Sequence, residues 1–383
     1  MSKSQIATGG IADDAVSTAK IFNDSRIVTP LIINGDMAVA QRGTSATDVG
    51  ASSTFHTCDR WRYGETGTIS FRATFSQSTT VPTGQGFLTS LKIDCTTAES
   101  SLAAADRLGI DQKIEAQNLV NLKQGTSSAD KTTLSFWVRS NLTGQFNIWI
   151  YKPDGTARSF VKAYTISSAD TWEKKIINIP ADTDSSGAIA NDNGEGWRIT
   201  WLLGAGSNFT SGSIGTSWEN FTAANIGVSQ TNFASSTDNE FYLTGVQLEV
   251  GEFDSDTIPP FPFESFSNNL QRCKRYFQVI ADGASPSEFF ASVSNYNGSY
   301  IFGTYRFMPE MRSAPTISSV TGTNYYAVNV NSTADSFNEV KGQDADSRSC
   351  QLYADANVSG TAGHSGQMKS DNASAKVTAD AEL

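Results

Sequence analysis

Two histidines, His56 and His364, stand far apart in the 383-residue chain. Neither has a second ligand at a spacing that holds zinc, and neither completes a Ser-His-Asp arrangement. Gly204-Ala205-Gly206-Ser207 approaches a nucleophile elbow but lacks the glycine two residues after the serine. No phosphate loop or dinucleotide fingerprint occurs. Cys58, Cys95, Cys273 and Cys350 are widely spaced and fall in no CxxC or CxxH pattern, so they read as four free thiols. Asp184, Asp192, Glu195 and Glu219 sit in glycine-rich loops, where solvated turn residues are the plain reading. A glycosidase needs one carboxyl held neutral beside another, and nothing in the sequence marks such a pair. The chain therefore reads as non-enzymatic and without a cofactor. A structural Ca2+ near Asp36 and Glu249, stapling the first and last strands of a sandwich, is the one metal site for which oxygen ligands are on offer.

Aromatic residues are the better lead. In Gln145 to Lys152 (QFNIWIYK), Phe146, Ile148 and Ile150 share one parity, and Trp149 and Tyr151 share the other. In Thr133 to Arg139 (TLSFWVR), Trp137 and Arg139 fall opposite Leu134, Phe136 and Val138. A sheet face carrying Trp137, Trp149 and Tyr151, with Arg139 as a polar clamp, offers flat apolar plates to sugar rings. The same pattern also fits rings covered by a loop, a second domain or a neighbouring subunit.

These side chains need strands to hold them, and the composition favours strands: Gly is frequent at 31 residues, aromatics make up 10% and charged residues only 17%. The net charge of −11 gives no electrostatic footprint for nucleic acid. No run of eighteen apolar residues and no signal-peptide h-region occur, so membrane insertion and self-directed export are not expected. Residues 1–30 are small and polar, with Ile6, Ile11, Val16 and Ile21 spaced by about five. That period builds neither a helix face nor a strand face. The segment is either a disordered tail or an extended anchor in which apolar residues from several chains meet on a shared axis.

Leu31 to Ser45 (LIINGDMAVAQRGTS) and Phe241 to Gly251 (FYLTGVQLEVG) read as strands that bracket one sandwich. After the first of them come at least nine well-patterned strand segments, ending with the second, in TISFRATFSQ, FLTSLKID, Leu108 to Ala116, Thr133 to Arg139, Gln145 to Lys152, Phe160 to Ile166, Trp172 to Ile179, Gly196 to Leu203 and Phe241 to Leu248. Only QNLVNLK, closed by Gly125, suggests a helical turn or two before residue 260. Pro259-Pro260-Phe261-Pro262-Phe263 makes a stiff linker, and Phe266, Leu270, Cys273 and Phe277 then recur at helical spacing. The remainder returns to β patterning, down to a terminal alternation in KVTADAEL. The expected fold is all-β: a jelly-roll β-sandwich over 31–263, an extended leader over 1–30, and one short linking helix with a smaller β domain over 264–383.

The runs LIINGDMAVAQRGTS, CDRWRYG, TFSQSTTVPTGQGF, SLKID, LSFWVRS, TWEKKIINIP, GAIANDNGEG and FYLTGVQLEVG, followed by PFPFES and LQRCKRYFQ, resemble in order the tail-fibre and related virion structural proteins of tailed bacteriophages. The likeness covers about residues 31–280. SQIATGGIADDAVSTAKI is similar to the leaders of phage fibres, and FMPEMRSAPTI and ADAEL to their small C-terminal β domains. The resemblance implies a carbohydrate-binding type of jelly roll on the phage particle, host-surface polysaccharide as partner, other virion proteins held through residues 1–30, and a homotrimer. It implies no catalytic set. Readings open at this stage are a glycan-binding fibre, a purely structural virion component such as a head fibre, decoration or tail adaptor, and a surface polysaccharide depolymerase.

Overall fold

The computed structural model describes residues 29–283 and 287–383. The anchor residues Ile6, Ile11, Val16 and Ile21 lie outside the described residues. The fold is all-β, as expected. In chain order the strands are β1 (Ser45–Val49), β2 (Thr54–Phe55), β3 (Arg62–Thr66), β4 (Arg72–Ser78), β5 (Ser90–Thr97), β6 (Arg107–Glu115), β7 (Thr132–Ser140), β8 (Gly144–Lys152), β9 (Arg158–Ile166), β10 (Glu173–Ile179), β11 (Glu195–Ala205), β12 (Glu219–Asn220) and β13 (Glu240–Val250). Helix α1 (Phe266–Lys274) follows, and then β14 (Phe277–Ala281), β15 (Phe289–Asn297), β16 (Tyr300–Arg306), β17 (Thr316–Ser319), β18 (Tyr326–Val330), β19 (Thr333–Phe337), β20 (Lys341–Gln343), β21 (Ser349–Ala354), β22 (Ser365–Ser370) and β23 (Val377–Asp380). The chain divides into two compact units. The first holds residues up to Asp36, Thr47–Ser53 and Tyr63–Phe263; the second holds Met37–Ala46, Thr54–Arg62 and Glu264–Leu383.

The first unit is a sandwich. One sheet runs β1-β4-β5-β13-β7-β10, and the other contains the run β12-β9-β8-β11-β6-β3. All nine patterned segments are strands of these sheets. Their inward parity builds the core: Phe136 and Phe241 from one sheet meet Phe146, Ile148, Ile150 and Trp201 from the other, all fully buried. The Phe136 and Trp201 rings meet edge to face at 5.5 Å, a geometry that suits the quadrupoles of two π systems. Burying each such side chain stabilises the fold by roughly 1.5–3 kcal/mol.

One bracket of the sandwich differs from expectation. FYLTGVQLEV is β13, in the middle of its sheet, but LIIN is a buried bend. Its backbone is satisfied by a side chain: the Ile33 N–H donates to Gln112 Oε1 at 2.9 Å, and the Ile33 carbonyl accepts from Gln112 Nε2 at 2.8 Å. Gly35 then accepts from the Val246 N–H at 3.0 Å, and a Cβ at Gly35 would lie 2.1 Å from the Val246 oxygen. QNLVNLK forms two 3-10 turns, Ala116–Asn118 and Val120–Leu122, ended by Lys123 in the left-handed region at φ 52°. Further single turns at Ser185–Gly187, Ser207–Thr210, Ala223–Asn225 and Phe233–Ser235 correct the expectation of one helical stretch before residue 260. Each is too short to show a hydrophobic period.

Where β8 ends, Lys152 and Arg158 converge on Asp182, and all three side chains are at most 7% exposed. Arg158 clamps the carboxylate with Nε at 2.8 Å and a terminal nitrogen at 3.0 Å.

The second unit packs a three-stranded sheet, β14-β23-β17, with a seven-stranded sheet, β19-β18-β22-β15-β16-β21-β20. Ile301, Leu352, Met368, Val377 and Ala379 are fully buried in its core. The expected terminal alternation is β23, which pairs with both β14 and β17. Helix α1 is capped by the Ser265 side chain, which accepts from the Asn268 N–H at 3.3 Å. Its buried line is Asn269 and Cys273; Phe266 is 59% exposed, and Phe277 opens β14 rather than extending the helix. The early stretches belonging to this unit are held by charge. Fully buried Arg60 pairs with Glu382 and lies 3.5 Å over the Tyr276 ring. Arg42 lies 3.7 Å over Phe277 and reaches Asp380 at 3.0 Å.

Candidate functional site

On the outer face of the seven-stranded sheet, Tyr296, Asn297, Tyr300, Phe302, Gln343 and Gln351 line an open pocket of about 360 Å³. Alternation along β16 sends Tyr300 and Phe302 outward, while Ile301 between them is fully buried. A bulge supplies the facing wall. The register advances from Asn295 opposite Ile301 to Asn297 opposite Tyr300, so Tyr296 is an extra residue. A bulge re-aims side chains locally. Consecutive residues Tyr296 and Asn297 therefore both line the pocket, which a regular strand does not allow. Tyr296 is 69% exposed.

Three rings form a near-equilateral cluster: Tyr296 to Tyr300 at 6.1 Å, Tyr296 to Phe302 at 6.0 Å and Tyr300 to Phe302 at 6.1 Å. Gln343 and Gln351 come from β20 and β21, where they are direct cross-strand partners. Gln343 Nε2 donates to the Tyr300 hydroxyl at 3.3 Å and to Gln351 Oε1. Asn297 Oδ1 accepts from the Ser299 N–H at 2.8 Å. That leaves Gln343 Oε1 as an acceptor, and Gln351 Nε2 and Asn297 Nδ2 as donors, on residues that line the pocket. Burial and the neighbouring Tyr353, Asp355 and Asp344 raise the Tyr300 pKa, so its phenol stays neutral. Flat apolar plates flanked by neutral donors and acceptors suit a ligand with apolar faces and a rim of hydroxyls.

The structure brings the sequence-predicted residues together only in part: the Trp149 and Tyr151 rings lie 5.5 Å apart, but all four do not form one face. Trp137 and Arg139 are half-buried on β7 of one sandwich sheet, and Trp149 and Tyr151 are on β8 of the other. Arg139 donates to the Asp170 carboxylate at 2.8 Å and lies 4.8 Å from the Tyr242 ring centre. Trp149 is only 3% exposed: Phe209, Phe221 and Ile226 come from the segment after β11 and pack around it with Val161 and Leu202. The chain's own loop is thus the cover over that ring. Tyr151 stays half-buried, with Arg198 5.5 Å from its ring centre. Among the described residues no group of three or more His, Cys, Asp or Glu is arranged to hold a metal, Asp36 and Glu249 included. The four cysteines are free and buried. No helix among the described residues is long and apolar enough to cross a membrane.

No protein-family model matches the chain, and no curated protein does. Among solved structures it is similar to the enzymatically active domain of tailspike protein 4 from bacteriophage CBA120, at 13% identity and a TM-score of 0.30 over 58% of this chain and 21% of that one. It is similar to the family 11 carbohydrate-binding module of the cellulosomal cellulase Lic26A-Cel5E of Clostridium thermocellum, at 10% identity and 0.28 over 53% and 94%. It is also similar to the N-terminal CBM22-1-CBM22-2 tandem domain of Paenibacillus barcinonensis Xyn10C, at 9% identity and 0.28 over 92% and 96%. The chain thus spans about a fifth of the tailspike domain it matches. At these scores nothing about ligand or activity carries over.

Proposed function

We propose that this chain is a non-enzymatic fibre protein of a tailed-phage virion that attaches to host surface glycans through the aromatic and amide pocket of its second unit. The observation that carries the binding role is the cluster of Tyr296, Tyr300 and Phe302 beside the outward amides of Asn297, Gln343 and Gln351. The virion setting, the homotrimer and the docking to other virion proteins through residues 1–30 rest on the sequence runs that resemble phage fibres. A glycan array probed with the intact protein and with Tyr300→Ala tests the reading. The expected result is retention of one or more host-surface glycans by the parent and a loss of tenfold or more in the variant, about 1.4 kcal/mol. Equal retention by both proteins removes the pocket from the function. Trp149→Ala, at a ring already covered by the chain, should not mimic Tyr300→Ala.

A purely structural virion role has its own support in the first unit. Phe263, 53% exposed, lies 4.9 Å from Phe261 and 5.2 Å from Phe87, and the residue after Phe87, Leu88, is 82% exposed. Such a patch fits the face of another subunit. Failure of the protein to retain any glycan, with the patch covered in the assembled particle, favours that role.

A further inference from the structure

The proposed glycan pocket also carries information about which glycans it takes. Its six lining residues include no charged side chain. Just beyond the lining, charge is one-sided. Lys341, the β20 residue opposite Tyr353, is held between Asp355 at 2.8 Å and Glu339 at 3.1 Å. Asp344 follows Gln343 directly and is exposed. Lys341 thus stands among three carboxylates of the described residues, with its charge already engaged by two of them. Arg306 shares the outward parity of Tyr300 and Phe302 but sits at the far end of β16, paired with Ser349. The whole chain adds a net charge of −11.

An uncharged hexopyranose brings no charge into this setting. Its ring face covers an aromatic plate, and its hydroxyls both donate and accept, matching the free Gln343 Oε1, Gln351 Nε2 and Asn297 Nδ2. A uronate or sialate brings a carboxylate beside Asp344, the neighbour of lining Gln343, and Asp355, two residues past the Tyr353 that stacks on Tyr300, while Lys341 is already engaged by carboxylates. Discrimination by an unpaired or repelled charge is an effective way to reject a near-isosteric competitor.

We infer that the Tyr296–Tyr300–Phe302 pocket selects neutral hexose glycans and excludes acidic ones, with Asp344 and Asp355 as the excluding groups. The inference rests on the glycan-binding reading of this pocket. The test is calorimetric titration of the full chain with matched hexasaccharide sets: neutral glucan, mannan and galactan oligomers against oligogalacturonate and an α2,8-linked sialic acid oligomer. The expected result is at least one neutral oligomer bound tenfold or more tightly than either acidic one, with the gap narrowing in raised NaCl. Asp344→Asn combined with Asp355→Asn should narrow the same ratio at least threefold at low salt. Acidic oligomers bound as tightly as neutral ones, in a manner lost with Tyr300→Ala, overturn the selectivity and leave the glycan-binding reading intact. A ratio that responds to neither salt nor the double substitution overturns the role of the two aspartates. Absence of binding to every oligomer overturns the reading and the inference together.

Discussion

Tyr353 stacks on Tyr300 with ring centres 5.3 Å apart and planes inclined by 20°. Tyr353 is not part of the pocket lining, yet it covers the flank of the ring that is. Tyr353→Ala should therefore weaken glycan binding by loosening Tyr300, several-fold rather than the tenfold or more of Tyr300→Ala, while Tyr353→Phe keeps the stack and restores affinity. Titration of the three variants against one bound oligosaccharide decides this. A Tyr353→Phe protein as weak as Tyr353→Ala would show that the hydroxyl, and not the stack, matters.

The bulge at Tyr296 gives a test of geometry that does not depend on removing an aromatic by truncation. Deleting Tyr296 joins Asn295 to Asn297 and restores regular pairing with Ile301 and Tyr300. The hairpin should remain folded, with an unchanged circular dichroism spectrum, and the pocket should lose one wall along with its affinity. Affinity retained after the deletion would mean that the ligand does not use this wall.

Arg60 and Glu382 form a largely buried ion pair, with side chains 1% and 5% exposed. Breaking a buried pair typically costs about 3–5 kcal/mol, and because Arg42 lies 3.4 Å from the Glu382 carboxylate, loss of Arg60 falls toward the lower end of that range. Arg60→Ala should lower the stability of the second unit by that order in urea denaturation. Replacing both partners with apolar residues of similar size should cost much less. Asp182→Asn, at the Lys152 and Arg158 cluster, should have a comparable effect on the first unit.

Stability should depend on pH in two opposite arms. Burial pushes the Glu249 carboxyl up to about 7 and the Asp59 carboxyl to about 6, above their ordinary values of 4.5 and 3.8. Between those values the folded chain holds protons that the unfolded chain has released, so these groups favour folding more as pH falls through the window. Asp182 and Glu195 work in reverse. Burial alone would raise them, but the Arg158 and Lys152 partners of one and the Arg198 and Lys113 partners of the other hold each below the ordinary range. Their contribution is present above the unfolded value and is lost as pH falls through the folded one. Glu249→Gln should raise the thermal midpoint at pH 8 and have little effect at pH 4. Equal shifts at both pH values would show that packing, not titration, is responsible.

How much of this was legible beforehand depended on whether a signal was local. The alternation in QFNIWIYK correctly assigns Phe146, Ile148 and Ile150 to the core, because parity is a property of one strand. The same parity places Trp149 outward but says nothing about Phe209, Phe221 and Ile226 folding over it from more than fifty residues away. LIIN has the composition of a strand, and only the distant Gln112 side chain shows why it bends instead. The pocket is missed by the sequence reading, which places the site at Trp137, Trp149, Tyr151 and Arg139, although the alternation in YIFG carries the signal that Tyr300 and Phe302 share one parity. The bulge that turns Tyr296 and Asn297 to one side, and the register that delivers Gln343 and Gln351, depend on pairings between strands, which no single window contains.

The early stretches Met37–Ala46 and Thr54–Arg62 are packed with Glu264–Leu383, and Arg60 finds its carboxylate only at Glu382. During synthesis these stretches emerge some 200 residues ahead of α1, and the pair cannot close until Glu382 has left the ribosome. The second unit thus matures after the first, and a chain stalled before Glu382 leaves a basic, apolar segment without its mate. The same stitching limits recombination. A gene exchange that cuts at the proline-rich linker carries away the pocket but not the residues that complete its framework. New specificities are more safely acquired by changing pocket side chains than by importing another C-terminal module.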